Sequence, residues 1–549
     1  MYKKIKILIL TLLIVSNYIL AQTSSKLPII MDMVHNNPGE LPYISKFNSP
    51  TTLTEMGYNS KCFFLFDSPM LAINWDKIDP DILPQDSQDR QWVEKKANRL
   101  DSLYNDCKKN GIDVYAMSDL ILFPKRLVKK YKIEKTFGNP CDTLTEKLLR
   151  FQLHQMFIQF PQMDGIVVRI GETYLEDAPF HIGSIKNKRN AKKTIIPLIK
   201  ILRDEVCVKL NKKVIFRTWN SFDVNEETYL EIDQAIKPHK NLIISVKHCE
   251  GDFHRGDPFS KILGIGHHKQ MVEVQCAREY EGKGSYPNYI ANGVINGFEE
   301  HKFMKSEGKI WNLKGLTKTG KLAGIWTWSR GGGWEGPYIK NEFWPNLNAW
   351  VMSQWANKTN ETEESIFYRY CTNYLKLSKN DAFKFRKLAL LSAQAVIRGR
   401  RSLAFPNSID KWWTRDQYIS FPIMPNDTAK TNVILAEKDK SIELWKEIVT
   451  LSKEIKFDNE ITKRTMICSA LYGLNLYRIY RSLFYLSAIN NGTYSANEKT
   501  DFITEYDKAW KEYKSLAIKY PDVCATLYKK DIILRIKGTS ANQKVNDMR

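Results

Sequence analysis

The chain reads as an α/β protein, a (β/α)8 barrel followed by an all-helical C-terminal domain. Three observations predict this. Between residues 28 and 330, eight short apolar runs alternate with helical stretches. Most of those runs are continuous rather than alternating, as parallel strands covered on both faces require. After about Lys358 the strand signals stop and amphipathic helical patterns take over. A doubly wound open sheet is the competing architecture, but no glycine-rich phosphate loop follows the first run.

The elements follow in order. Residues 1–21 carry Lys3, Lys4 and Lys6, then an apolar stretch at 7–20, then the small Ala21. This is the pattern of a secretory signal, and it is too short for a stable membrane span. It places the mature chain in a periplasm or outside the cell. The eight strand-like runs are 29–35, 62–67, 112–118, 165–170, 213–219, 242–247, 271–276 and 322–328. Helical patterns between them are clearest at 90–110, 143–160, 189–211 and 225–236. The barrel is therefore expected over residues 25–357, within the usual size of this architecture. Amphipathic helices follow at 361–376, 381–397, 437–455, 461–487 and 498–517, giving a helical domain over 358–537. Residues 538–549 read as a polar, frayed tail.

Composition narrows the chemistry. Loss of Lys3, Lys4 and Lys6 with the leader lowers the formal charge from +21 to +18. The lysines are scattered rather than clustered, which argues for a solvated basic surface and against nucleic-acid binding. For an exported chain, acidic glycans or an anionic cell surface are the fitting partners. The nine cysteines are odd in number and lack a CxxC spacing, so buried thiols are expected rather than disulfides or a zinc site. His267-His268 is an adjacent pair, which does not aim both rings at one metal. No metal or organic cofactor is called for.

Active sites in such barrels lie at the C-terminal ends of the strands. The residues there include His35, Asn36, Asp119, Arg169, Glu172, Arg217, Trp219, Lys247, Asp252, Glu279, Trp328 and Trp334. Carboxylates, cations and indoles gathered at one end suit a carbohydrate.

Four segments carry a resemblance. The run Lys247-His-Cys-Glu-Gly-Asp252-Phe253 resembles the strand-six motif of glycoside hydrolase family 67, the α-glucuronidases. There a Lys precedes the catalytic Asp by five residues and a Phe follows it. Glu273-Val-Gln275-Cys-Ala-Arg-Glu279-Tyr280-Glu-Gly282 is similar to the family's strand-seven pattern E-x-Q-x-x-x-E-Y-x-G. Asp164-Gly165-Ile-Val-Val-Arg169-Ile-Gly-Glu172 resembles the fourth-strand segment, and Val214-Ile-Phe-Arg217-Thr-Trp219 the fifth. The likeness covers roughly residues 28–357. The chain departs from the family in having Arg169 where a Lys stands, with one residue fewer before the acid. The family's N-terminal β-rich domain also has no counterpart before the first strand. These departures mark a relative rather than a standard member.

The resemblance implies an inverting, exo-acting hydrolase that removes an α-linked uronic acid from hemicellulose-type oligosaccharides. Glu172 would be the acid, with Asp252 and Glu279 holding the attacking water. Inversion implies carboxyl groups roughly 6.5–9.5 Å apart. A structural ion pair with Arg169 or Arg217 is the competing role for Glu172. Arg217 and Lys247, with Arg169, would meet the uronate carboxylate. Pairing with the catalytic acids is the alternative for these cations. Trp219 and Trp334 could stack on sugar faces, and His35 and Asn36 could bind hydroxyls. Trp326 and Trp328 could stack likewise or simply pack the barrel. Glu273 and Asp257 read as structural. The resemblance also allows a homodimer through the helical domain. A barrel hydrolase of another sugar and a non-catalytic glycan-binding protein are the rival readings.

Overall fold

The computed structural model describes residues 26–35, 44–175, 177–331, 336–405, 419–531 and 540–549. Residues 1–21, expected to be a secretory signal, and the site candidates Asn36 and Trp334 lie outside the described residues. Eight parallel strands close into a barrel. They are β1 (Ile29–His35), β2 (Ser60–Phe63), β3 (Asp113–Asp119), β4 (Met163–Arg169), β5 (Lys213–Arg217), β6 (Leu242–Lys247), β7 (Lys269–Val274) and β8 (Leu322–Gly331). Each pairs with its sequence neighbours, and β1 with β8 closes the ring.

All eight apolar runs form barrel strands, because a strand buried on both faces has no polar phase. Two layers of core result. Met31, Tyr115, Val167, Ile215, Ile243, Met271 and Trp326 fill the interior. Ile30, Val114, Ile166, Val214, Ile244 and Val272 face the surrounding helices. Neighbouring strands approach so closely that a Cβ on Gly165 of β4 would stand 2.5 Å from the Lys213 carbonyl and 2.8 Å from the Tyr115 ring.

Among the covering helices are α1 (Gln88–Lys109), α2 (Thr143–Gln159) and α3 (Glu226–Ala235). Each starts at a side chain that accepts a backbone N–H of the first turn, from Ser87, Asp142 and Asn225. A short antiparallel ribbon, Leu122–Pro124 with Phe123 opposite Ile182, lies above the β3 and β4 loops. With three residues per strand it has no periodicity to read.

Helix α4 (Phe343–Asn357) is buried almost all round, and its Ala356 carbonyl accepts the Leu27 N–H at 2.8 Å beside the start of β1. Beyond it, α5 (Lys379–Arg400), α6 (Thr428–Glu454), α7 (Glu460–Asn490) and α8 (Lys499–Lys519) pack in succession. They meet the barrel at the loop after β7, where the Tyr286 ring stands edge-on to Trp445 of α6 and Tyr477 of α7. The last ten residues depart from the frayed tail expected of them. Ser540 caps a helix over Ala541–Asp547, and Ala541 and Val545, one turn apart, are buried. The nine cysteines are free, and all but Cys141 are buried. No helix among the described residues is long and apolar enough to cross a membrane.

Candidate active site

Alternation along a strand turns every second residue into the barrel. The last inward residues are His35, Asp119, Arg169, Arg217, Lys247 and Glu273, so the apolar interior ends in a charged layer at the C-terminal mouth. Arg217 and Glu273 form the floor. The guanidinium donates through Nε at 2.9 Å and Nη2 at 2.6 Å, and Ser245 Oγ adds a third bond at 2.9 Å. The Trp326 and Trp328 rings stand 5.2 and 5.0 Å from the Arg217 guanidinium carbon. Arg217 is thus committed to Glu273 and stacked, not turned toward a ligand. The two indoles belong to barrel packing, and Glu273, which stands next to last in β7 rather than early in it, is structural through its pair with Arg217.

Arg169 is also paired. It donates to Asp119 at 2.9 and 3.2 Å, and lies 3.6 Å from Glu172. Tyr174 covers its other face at 4.6 Å and donates its N–H to Asp119 at 3.0 Å.

Glu172, Trp219, Lys247 and Asp252 form a chain across the mouth. The Trp219 indole N–H donates to Glu172 at 3.3 Å. The Lys247 ammonium lies 3.1 Å from the Trp219 ring centroid and 4.6 Å from that of Phe253. Lys247 also donates to one Asp252 oxygen, and the Tyr280 hydroxyl donates to the other. Burial alone would raise the Asp252 carboxyl. The Lys247 ammonium and the two donated bonds outweigh it and hold the group below the usual carboxylate range. The two acids therefore stand apart, with an indole and an ammonium between them. Glu172 keeps a side-chain exposure of 34% and Asp252 20%. Because Lys247 occupies a face of Trp219, that indole is a wedge between the acids before it is a platform for sugar.

Glu279 is buried, gripped by Gln275 at both ends: the amide donates to its carboxylate at 2.9 Å and accepts its N–H at 2.6 Å. His35 packs against Phe64 and Trp328 at 4.2 and 5.0 Å. Burial first, then the charges of Arg169 and Arg217, push its pKa well down, so the ring is neutral. Its Nδ1 is buried and has no partner among the described residues.

The loop after β6 is held in tight turns. Gly251 and Gly256 have φ of +67° and +93°, and Phe253 has +62°. A Cβ on Gly251 would stand 2.9 Å from an Asp257 oxygen. Arg401, just past α5, donates to the Arg255 carbonyl at 3.1 Å and lies 3.4 Å from Asp257. Its own backbone carbonyl accepts the buried Lys438 ammonium of α6.

Sequence reasoning misses two groups. Tyr280 enters it only as a motif letter, yet its hydroxyl completes Asp252. Lys283 is buried with φ +49° between two left-handed glycines, and its charge bears on His35. The string Gly282-Lys283-Gly284 is the available signal, since glycines around a single Lys mark a turn that bends sharply.

Known proteins match the chain in shape. A GH138 enzyme that targets pectin rhamnogalacturonan II superposes with a TM-score of 0.56 at 13% identity. The match covers 91% of this chain and 63% of that one, so the chain spans less than two thirds of its neighbour's length. The likeness is one of fold. An O-GlcNAc hydrolase from Thermobaculum terrenum gives 0.42 at 9% identity, over 95% of this chain and 93% of the other. CpGH84B gives 0.41 at 12%, over 95% and 77%. No protein-family model matches the sequence, and no curated protein does.

Proposed function

We propose that the chain is an exported, exo-acting glycoside hydrolase that removes an α-linked uronic acid from acidic oligosaccharides with inversion. The observation that carries this is the pair of separated carboxyl groups at the mouth. One, Asp252, is held ionised by Lys247 and Tyr280; the other, Glu172, is partly open to solvent. Inverting hydrolysis needs that division, with water activated on one side and the leaving oxygen protonated on the other. Glu172 is assigned the acid role and Asp252 the base, with Glu279 as the second group on the water side.

The similarity of the strand-six and strand-seven segments to family 67 supports a uronic acid as the released sugar. Lys247, Arg169 and Lys283 supply positive charge beside the sugar's carboxylate. The His35 Nδ1, without a partner among the described residues, accepts a hydroxyl. The pectin rhamnogalacturonan II target of the GH138 neighbour makes pectic oligosaccharides the second substrate class.

The test is proton NMR of wild type and Glu172→Ala with aldouronic oligosaccharides from glucuronoxylan and with pectic oligosaccharides. Release of β-configured uronic acid by wild type and its loss in the variant are expected. Release of the α-configured sugar would overturn inversion, and no release from either class would overturn the uronidase assignment.

A further inference from the structure

A cleft of about 610 Å³ opens where the segment after β8 crosses the residues after β1 and the start of α7. Its inner wall is neutralised. Glu342 accepts the Ser45 hydroxyl at 2.5 Å and the Lys46 N–H at 3.1 Å, and lies 3.5 Å from the Arg330 guanidinium. Arg330 is the next-to-last residue of β8, and a bulge after Trp328 pairs it with Val34, which faces the surrounding helices. The cleft therefore opens on the helix side of the C-terminal end of β8.

The outer wall has a different character. Tyr374 lies flat on Tyr370, with centroids 4.9 Å apart and planes 16° from parallel. Tyr370 is fully buried while Tyr374 is 48% exposed, so the buried ring backs the exposed one and fixes its open face. The Lys46 ammonium stands 5.8 Å from the Tyr374 centroid and 3.3 Å from its hydroxyl. Thr462 and Thr465 add hydroxyls on the α7 side, and Asn341 an amide. An apolar ring face beside an ammonium and neutral polar groups has the chemistry of a site for a sugar bearing a carboxylate.

We infer that this cleft is a second acidic-glycan site, which holds the part of the oligosaccharide beyond the sugar that is released. Tyr374 is the stacking platform, and Lys46 meets a carboxylate on the bound chain. The inference rests on the glycosidase reading for what the mouth does, but not for whether the cleft binds.

Affinity electrophoresis of the full chain tests it, in gels containing glucuronoxylan, polygalacturonate or a neutral β-glucan. Glu172→Gln serves as the background, so that the embedded polymer is not consumed. Retardation by an acidic polymer is expected, with Tyr374→Ala weakening it at least tenfold and Lys46→Ala lowering both the retardation and its dependence on salt. Hydrolysis of a short aryl uronide should be unchanged by Tyr374→Ala or Lys46→Ala in otherwise wild-type protein, which also shows that both fold. Equal retardation with and without Tyr374, or none in either acidic polymer, overturns the cleft inference whether or not the enzyme cuts. Tyr374-dependent retardation by a protein that releases no sugar upholds the cleft and sinks the glycosidase reading instead. A dimer that Tyr374→Ala splits without altering retardation makes the cleft a subunit contact and overturns its assignment to glycan.

Discussion

Arg217 carries its charge where solvent does not reach, and the consequence is steric as much as electrostatic. Two bonds to Glu273 and two stacked indoles leave it one geometry. Removing one partner of such a pair strands the other in a low-dielectric interior. Glu273→Gln is expected to cost about 3–5 kcal/mol of stability, read from denaturant unfolding, and a loss below about 1 kcal/mol would contradict the assignment of this pair to the floor. Glu172→Gln acts differently. It should leave the unfolding midpoint in place and lower turnover by about 10²–10⁴, a split that separates a reacting group from a structural one. In the sequence Arg217 reads as a uronate ligand, because nothing in the string Phe216-Arg217-Thr218 reveals a partner 56 residues away. The Lys247–Asp252 contact is open to the sequence only as the alternative of pairing with a catalytic acid, since both sit in one short segment that one loop closes. The indole between the acids is not legible, because it depends on how β5 and β6 stand side by side.

At the scale of an element, the loop from β6 shows how backbone conformation sets the site. Asp252 lies between two residues of positive φ, Gly251 and Phe253. Gly251→Ala combines a left-handed penalty of about 1–2 kcal/mol with a 2.9 Å approach to Asp257. The expected result is a fall in kcat with little change in KM on a short aryl uronide; unaltered kcat would mean that the loop tolerates displacement. The strands themselves are readable from apolar runs, and β1 and β6 have the bounds that the pattern predicts. β2 starts and stops earlier than its apolar run, because Leu65–Asp67 and Pro69–Leu71 coil into tight helical turns once Ser68 can cap the second of them. The terminal helix is hidden for another reason. Its two buried residues are too few to stand out from a polar background, and only tertiary contact reveals them.

At the scale of the molecule, buried titratable groups set a window of stability. Burial raises the Asp32 carboxyl to about 7, against the bonds that Thr327 and Ser329 donate to it. In the unfolded chain the same group ionises near its ordinary value. Between roughly pH 4 and 7 the folded state alone keeps the proton, so this contribution falls as pH rises, by about 4 kcal/mol across the window. Burial lowers His248 and His181 to about 3 and His254 to about 4. Their contribution runs the other way. It is complete above the ordinary histidine value and is lost as pH falls through theirs. Unfolding free energy measured against pH should drop in acid for wild type, while Asp32→Asn should gain stability at about pH 8 and steepen the slope between about pH 4 and 7, because the contribution that opposes the histidines is gone. A variant with the wild-type slope would show that Asp32 titrates normally. The tie at Arg401 also has a bearing on time. The loop that bears Asp252 is clasped by Arg401, and Arg401 by Lys438, so a barrel whose eight strands are already synthesised still lacks its clasp. On the reading proposed above, a chain in which the strands exist and α5 and α6 have not yet docked would give no turnover.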